Sequence, residues 1–493
     1  MNSETNSYKS ILNSAGVGLK SLFLRSITLY ILRAISLLVL SKLLIPKDYG
    51  TFGILNSYLW SVIYFVPDFG LINGFLQKKD RITTDEVKAQ SSVYFYWGVT
   101  VSLIIICLQP FILEKHSFGT QESQMLLVLA ASALINSFQI IPKAQLERSL
   151  QFEKVTKIEI YESLSLYLTQ IGLAFAGFGV WSFVIAFSTR ATVGTLFSIY
   201  YNRGFSFSLK LDIKILKIFW NFSIFTQLFK LAQSLRNLII PILLAAFFQN
   251  KVIGEITWVV GLASIPATLA DNFHRVIFPS LSKLQESEDQ FKNFATKGLE
   301  YGFLSFSIIF GLIAVSYKSF APWLFGDKWS EIITYLPFAT LAIGLSRTRY
   351  LFASIFYSKG DSKVHSLIEV LHVIIQFIIS YFSIKYYGVM GYFLSLSFVE
   401  IIITIFTISK SKRSLHPGIY LSLIRYLIIT LLAFLLTDHF INLTLHPVIS
   451  TTLECFAFIA LFFILALGLH FGAIRDTKSI IFKIVRKGKN GLK

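Results

Sequence analysis

The sequence is poor in charge, in cysteine and in long hydrophilic stretches. Only 15% of its 493 residues are charged while 54% are hydrophobic, a balance unlike that of a water-soluble protein of this size. Cys107 and Cys455 both lie in apolar runs, so we interpret them as small core hydrophobes and not as a disulfide or a metal pair. No polar segment between these runs is long enough for a soluble catalytic domain, which indicates that the chain is not an enzyme.

Motifs for metal, nucleotide or nucleic acid are also missing. The eight histidines show no metal-ligand spacing. The stretch GVGLKS at 16–21 lacks the spacing of a phosphate-binding loop and follows no predicted strand. Attraction to an anionic lipid surface accounts for the net charge of +18 without nucleic acid. We therefore expect no metal, no cofactor and no nucleic-acid partner.

What the chain has in abundance is apolar runs of about 20 residues, enough to cross a hydrocarbon core roughly 30 Å thick. They predict an all-α polytopic membrane protein with about fourteen spans. The predicted spans are 17–41, 49–76, 91–113, 125–142, 158–178, 180–201, 219–248, 252–274, 299–325, 331–357, 364–384, 388–409, 419–437 and 448–473. An even number places both termini on one side of the membrane.

The basic residues of the loops predict which side that is. Roughly four in five loop Lys and Arg fall on the side of the N-terminus, which is the positive-inside pattern of short loops. This group is Lys78, Lys79, Arg81, Lys88, Lys143, Arg148, Lys154, Lys157, Arg203, Lys210, Lys214, Lys217, Arg275, Lys283, Lys292, Lys297, Lys410, Lys412 and Arg413. The opposite loops carry Lys42, Lys47, Lys115, Lys251, Lys328 and Lys385. We expect a bacterial inner (plasma) membrane protein with both termini in the cytoplasm.

The chain also repeats itself at a spacing slightly above 200 residues. The segment 177–201 resembles 385–409, and Gly179-Val180 matches Gly388-Val389. Two pseudo-symmetric, parallel six-helix lobes followed by two C-terminal helices explain this pattern, because an even number of spans separates equivalent helices. The predicted domains are an N-lobe (1–201), a cytoplasmic linker (202–218), a C-lobe (219–409) and a C-terminal helix pair with a basic tail (410–493).

Spans 1 and 7, the leading helices of the two predicted lobes, each carry a polar face. A cation that faces hydrocarbon costs at least about 2.5 kcal/mol, so these faces should meet protein or water. In one interpretation they line a hydrated cavity between the lobes and bind an anionic substrate; in the other, each cation pairs with a buried acid and locks helices together. The substrate-binding candidates on these spans are Arg25, Tyr30, Arg33, Lys230, Gln233, Arg236 and Asn237.

Further charges lie inside other spans. Arg347 and Arg349, in LSRTRY, suit substrate binding and helix locking equally well. Asp68 follows Pro67, and Asp271 lies near Pro266, where a bent helix would expose backbone groups that can serve a coupling ion. Asp68 and Asp271 are equally suited to neutralise Arg33 and Arg236 of the same lobe. The ion-coupling candidates are Asp68, Asp271, Glu369 and Glu400.

Several stretches are similar to a known family. LLIPKDYGTFGILN (43–56) and DFGLINGFLQKK (68–79) resemble the first helices of bacterial polysaccharide (oligosaccharyl-lipid) flippases of the multidrug/oligosaccharidyl-lipid/polysaccharide (MOP) exporter superfamily. QLERSLQFEKVTKIEI (145–160) and GFGVWSF (177–183) resemble its lipopolysaccharide and teichuronic acid exporter branch. The resemblance covers essentially the whole chain, but its motifs carry information on the fold and not on the substrate.

The resemblance implies flipping of an undecaprenyl-pyrophosphate-linked oligosaccharide from the cytoplasmic to the outer leaflet by alternating access, driven by an H⁺ or Na⁺ gradient. It implies that Arg25, Arg33, Lys230 and Arg236 attract the pyrophosphate or acidic sugars, and that the C-terminal helices help to form a groove for the lipid tail. Membrane lipids and polysaccharide polymerase machinery are the other expected partners. A lipid II flippase or a multidrug antiporter of the same superfamily is the alternative, and a membrane polysaccharide polymerase is disfavoured by the short external loops.

Overall fold

The computed structural model describes residues 28–68, 71–72, 75, 82–149, 151–212, 224–284, 287–411, 414–416, 418–440 and 446–468. Each of the fourteen predicted spans overlaps a helix there, and the regular structure of these residues is entirely helical. The helices of the first half are α1 (28–43), α2 (Pro46–Phe65), α3 (Thr84–His116), α4 (Thr120–Ser137), α5 (Phe152–Phe175) and α6 (Trp181–Tyr201), with a short helix, Ile140–Arg148, after α4.

The second half continues in the same way. Its helices are α7 (Ile224–Asn237), α8 (Asn250–Lys283), α9 (Glu288–Phe325), α10 (Leu336–Ser358), α11 (362–387), α12 (389–411), α13 (Gly418–Phe440) and α14 (Pro447–Gly468). Seven helical segments among the described residues are long and apolar enough to cross a membrane, and one of these covers both α11 and α12. The chain is a multi-pass membrane protein, as the sequence predicted.

Local sequence explains several helix ends. Thr83 accepts a hydrogen bond from the Glu86 amide (3.3 Å), and the Glu86 carboxylate accepts one from the Thr83 amide (3.0 Å), which forms a capping box at the start of α3. At the other end, Ser117 takes up a left-handed conformation with φ 51°. The caps make α3 longer than the predicted span 91–113, because they lie beyond its apolar part.

Proline accounts for two differences from the predicted spans. The second span was predicted to reach residue 76, but α2 ends at Phe65, just before Pro67, which has no amide hydrogen to donate. The seventh span is not one regular helix, since residues Ile239–Leu244, which include Pro241, form a π-helical turn after α7. By contrast, α8 continues through Pro266 to Lys283.

Two matching glycines mark equivalent turns in the sequence repeat. Gly179 has φ 53° and lies between α5 and α6, and Gly388 has φ 57° and separates α11 from α12. This left-handed backbone is accessible to glycine without strain. The shared conformation supports the internal duplication.

The chain forms two compact units. One comprises residues 1–258 and 366–381, and the other comprises 259–365 and 382–493. In the second unit, α13 and α14 pack on α9 through hydrogen bonds that Ser422 donates to Glu300 (3.1 Å) and Ser319 to Glu454 (2.6 Å). The assignment of two six-helix lobes and a linker at 202–218 remains a prediction. Neither cysteine is a core residue, because Cys107 is exposed and Cys455 half-buried.

Within the first unit, α2 and α8 approach each other at glycines. A Cβ atom on Gly50 would overlap the backbone carbonyl oxygen of Asn250, and one on Gly254 would overlap that of Pro46. One turn further along, a Cβ on Gly53 would lie 3.0 Å from the Thr257 hydroxyl oxygen. Small residues allow such direct contact between helix backbones. We call this contact the glycine crossing.

Candidate functional site

The polar face of α7 packs against α2 in the first unit. Ser61 of α2 donates a hydrogen bond to the backbone carbonyl of Ser234 (3.1 Å), and the two hydroxyls are 3.0 Å apart. Gln227, Lys230, Ser234 and Asn237 recur at helical spacing on this face. The face meets protein, as the energetic cost of polar groups in hydrocarbon requires.

One turn away on this face, Lys230 forms an ion pair with Asp68. Its Nζ atom lies 2.5 Å from Asp68 Oδ1, and the Tyr94 hydroxyl donates a hydrogen bond to Oδ2 (3.4 Å). The Asp68 side chain is 9% exposed and that of Lys230 is 25% exposed. Asp68 is therefore held where α2 has ended, between α7 and α3. The contact is of the kind that the helix-locking interpretation describes.

A second charged cluster in the same unit surrounds Glu162 of α5. Lys143 lies 3.5 Å from Glu162 Oε1, and Arg190 of α6 lies 3.8 Å from Oε2. Lys143 also lies 3.5 Å from Glu159, so two carboxylates and two cations share the cluster. Gly194 makes room for it, since a Cβ there would lie 2.7 Å from Glu162 Oε1. Glu162 is buried, whereas Arg190 is partly exposed.

The polar face of α1 meets α5 near this cluster. Ser36 donates a hydrogen bond to the Gln170 side chain (3.3 Å) in a buried position. Arg33, three residues earlier, and Arg190 both lie close enough to Tyr167 for their charges to act on its hydroxyl. Arg33 is half-buried and Tyr30 lies on the same helix, also half-buried. These contacts place α1, α5 and α6 around one polar region.

Other candidate charges are deeply buried. In the second unit, Arg349 Nε of α10 lies 3.4 Å from Glu400 Oε2 of α12, and both side chains are almost fully buried. In the first unit, Glu369 Oε2 lies 3.9 Å from His372 Nδ1 on α11, again with negligible exposure. Arg347 packs its guanidinium over the Tyr350 ring at 5.5 Å. Arg349 thus shows the helix-locking contact that the sequence left as one of two options.

The second unit also contains an apolar cavity of about 490 Å³. Its walls are made mainly by aromatic and aliphatic side chains of α9, α10 and α13, among them Phe303, Phe306, Leu341, Leu427, Leu431 and Phe434. Gly344 and Thr348 of α10 also line it. The size falls in the range of cavities that bind small apolar ligands.

The predicted site residues therefore fall into separate groups. Lys230 and Asp68 meet directly, Arg33 lies in the α1–α5–α6 region, and Arg349 meets Glu400 in the other unit. Gln233, Arg236 and Asn237 are half-buried on α7. Arg25 lies outside the described residues, and so does the side chain of Asp271. Their substrate-binding and ion-coupling roles remain predictions.

Several contributors to these clusters carry no signal in the sequence. Tyr94, Tyr167 and Gln170 complete polar clusters but sit singly within apolar helices, with no local signal to distinguish them. Lys143 was counted as a loop cation, although it lies in the short helix Ile140–Arg148 and joins the Glu162 cluster. Only the tertiary fold brings these residues next to the predicted ones.

Known structures share this fold. The chain superimposes on the lipid II flippase MurJ in an inward closed conformation with a TM-score of 0.73 and 14% identity, over 91% of this chain and 99% of that one. An inward-facing multidrug resistance MATE family transporter of the MOP superfamily gives 0.61 with 15% identity, over 78% and 93% of the two chains. The fold is that of the MOP transporters.

Sequence comparison then gives the family. Residues 39–334, more than half of the chain, match the model of the polysaccharide biosynthesis protein family, and the chain belongs to this family. It is 23% identical to an uncharacterized membrane protein in the cps region of Klebsiella pneumoniae over 75% of this chain and 76% of that protein. It is 25% identical to the lipopolysaccharide biosynthesis protein WzxC of Escherichia coli K12 over 61% of each chain. The teichuronic acid biosynthesis protein TuaB of Bacillus subtilis is 22% identical over 52% and 54% of the two chains.

Proposed function

We propose that the protein flips an undecaprenyl-pyrophosphate-linked oligosaccharide from the cytoplasmic to the outer leaflet by alternating access. The observation that carries this proposal is the family match together with the cations Arg33, Arg190 and Lys230 inside the helices α1, α6 and α7. A pyrophosphate headgroup is anionic and its glycan is hydrated, so its passage needs a polar, positively charged path. In the proposal, α1 and α7 contribute their polar faces to that path.

The pairing of the buried acids supports an anionic cargo over a cationic drug. Among the described residues, Asp68 is next to Lys230, Glu162 is next to Lys143 and Arg190, and Glu400 is next to Arg349. Carboxylates neutralised in this way attract cations weakly. The opening of a pair such as Asp68–Lys230 would free a cation for the pyrophosphate and a carboxylate for H⁺ or Na⁺.

The apolar cavity of the second unit suits the lipid tail. It is lined by α13, one of the two C-terminal helices, and by α9 and α10. Burial of each methylene of a polyprenyl chain there stabilises the complex by about 0.8 kcal/mol at most, relative to water. The tail also has the bilayer as an apolar surrounding, so the cavity serves to position the lipid and not to extract it.

The test is a leaflet assay in cells that depend on this protein for surface glycan. Arg33→Gln and Lys230→Gln should leave the lipid-linked glycan in the cytoplasmic leaflet, inaccessible to a periplasmic glycosidase. Lys157→Gln is the matched control, because Lys157 is exposed and, within the described part of the chain, its ion pair is with Glu153 one turn away. Unchanged accessibility of the glycan at normal protein levels would contradict the proposed path, and shortened glycans with normal accessibility would indicate a polymerase.

A further inference from the structure

A further group of cations lies at the end of the first unit where α3 ends and α2 and α8 begin. These residues line a cavity of about 480 Å³ that is separate from the Asp68 and Glu162 clusters. The lining comes from three distant stretches of chain: Lys47; Lys115, His116 and Ser117; and Ala245, Phe248, Gln249, Asn250 and Lys251. The fold therefore brings three lysines to one concave surface.

The cavity carries positive charge with no acid in its lining. None of its nine lining residues is Asp or Glu. Lys251 lies 3.8 Å from Glu255 on the same helix, a distance typical of a weak surface pair. Among the described residues, Lys47 and Lys115 make no ion pair. Three like charges repel each other in one cavity, and a bound anion would relieve this repulsion.

The start of α8 adds to this preference for an anion. Lys47 is the second residue of α2 and Lys251 the second residue of α8. The first N–H groups of a helix have no partner within the helix, and the helix dipole makes its N-terminus positive. Of the two ends, only that of α8 offers such N–H groups, because α2 begins with Pro46 and the Asp48 carboxylate in its first turn accepts from the Ile45 amide (3.1 Å). One helix N-terminus and three lysines thus meet at the cavity, an arrangement that suits phosphate.

Other side chains give the cavity a firm wall. His116 shares a hydrogen bond with the Tyr58 hydroxyl (3.1 Å) and stacks on Phe118 with ring centroids 5.4 Å apart. Phe248 and Ala245 add apolar surface beside the lysines. Because Lys115 and His116 end α3, a helix long and apolar enough to cross a membrane, a ligand with both a charged head and an apolar part suits the position.

We propose that this cavity binds the phosphate headgroup of a lipid. Two lipids share that chemistry: an anionic phospholipid of the surrounding leaflet, and a polyprenyl pyrophosphate, the latter resting on the function proposed above. In the predicted topology these loops face the outside, where a flipped lipid would arrive. Lys47 and Lys251 lie one turn before the two closest glycines of the glycine crossing, so a bound phosphate would bridge α2 and α8.

The experiment measures lipid binding to the purified full chain by native mass spectrometry and by tryptophan fluorescence titration. The probes are phosphatidylglycerol, farnesyl pyrophosphate as a short polyprenyl pyrophosphate, and phosphatidylcholine as the zwitterionic reference. The test variant is Lys47→Gln/Lys115→Gln/Lys251→Gln. A lysine near a lipid headgroup is worth about five-fold in affinity, so the triple variant should bind on the order of 100-fold more weakly.

The control variant removes the same charge elsewhere. Lys88→Gln/Lys157→Gln/Lys292→Gln replaces three lysines that lie outside the cavity, each in an ion pair within its own helix. Lys47→Arg/Lys115→Arg/Lys251→Arg, which keeps the charge, should retain binding within a few-fold and shows that the site tolerates substitution.

The two anionic probes distinguish the two lipids. Loss of phosphatidylglycerol binding alone supports a membrane-lipid site, loss of farnesyl pyrophosphate binding alone supports a polyprenyl site, and loss of both supports a shared one. The proposal fails if the test variant binds both anionic probes within two-fold of the parent, or if the control variant loses as much. Since phosphatidylglycerol binding does not require flipping, a chain with another cargo could still pass this test.

Discussion

Variants of the Asp68–Lys230 pair can distinguish a structural role of Lys230, the more central cation of α7, from a role in substrate binding. Replacing Lys230 by Met removes the cation that lies 2.5 Å from Asp68 Oδ1 in an almost buried position, while the Tyr94 hydroxyl still donates to Oδ2. Breaking a buried pair costs about 3–5 kcal/mol and breaking an exposed pair at most about 1. Lys230 is 25% exposed, so we expect a loss of about 2 kcal/mol in the free energy of unfolding.

A double-mutant cycle measures that contact directly. Asp68→Asn should cost about 1 kcal/mol, because the amide still accepts from Tyr94. In the Asp68→Asn background, Lys230→Met should cost far less than it does alone, with a coupling energy of about 1–2 kcal/mol. Pulse proteolysis in detergent gives the unfolding free energies. Coupling below about 0.5 kcal/mol would refute the pair as a stabilising contact.

A further variant of the same two residues distinguishes the structural from the substrate-binding role of Lys230 in a transport assay. If Lys230 acts only by pairing, the exchange Asp68→Lys/Lys230→Asp restores both stability and glycan export. If Lys230 also binds the substrate, the exchange restores stability while export stays low. Restored export would therefore remove Lys230 from the proposed substrate path.

Three further predictions rest on packing. Gly254→Ala should reduce the amount of folded protein and lower the unfolding free energy by about 1–3 kcal/mol, because its Cβ meets a backbone oxygen. Gly261→Ala in the same helix, where a Cβ meets nothing within 4 Å, should be neutral. Equal losses for the two variants would contradict the glycine crossing. Arg349→Met should cost about 3–5 kcal/mol in unfolding free energy and Arg349→Met/Glu400→Leu much less. Glu153→Gln, in an exposed pair, should leave the unfolding free energy unchanged. An Arg349→Met variant as stable as the parent would argue against the buried pair. Gly344→Leu places a side chain in the apolar cavity. It should lower the export rate at least about ten-fold, with less than about 1.5 kcal/mol of destabilisation because the cavity has room for the side chain. Normal export would show that the lipid tail does not use this cavity.

The positions of the helices follow from the sequence, because the length and composition of an apolar run are local properties. Of these helical segments, seven among the described residues are long and apolar enough to cross a membrane. Helix ends follow less well. The apolar run after Pro67 continues, yet α2 stops at Phe65, and the π-helical turn at Ile239–Leu244 has no hydropathy signal beyond Pro241. In both places the backbone geometry of proline outweighs hydropathy.

The candidate site was predictable only as a set of residue types. The polar faces of α1 and α7 are visible in the helical period, but the partner of each cation depends on which helices become neighbours. The sequence offers Arg33, on the same predicted lobe, as a partner for Asp68, and the fold also brings Lys230 to it, 162 positions further along the chain. Lys143 and Tyr94 entered the clusters for the same reason, since no local pattern marks them.

The glycine crossing has a mechanical consequence. Where large side chains of two helices interdigitate, separating the helices breaks the packing contacts of each side chain and leaves a void. Such a separation is slow and costs free energy. At Gly50 and Gly254 the two backbones touch with no side chain between them, so the surfaces that meet are smooth. The two helices of such a contact can separate and return as rigid bodies without repacking of side chains. A gate that must open and close for every molecule carried needs this property.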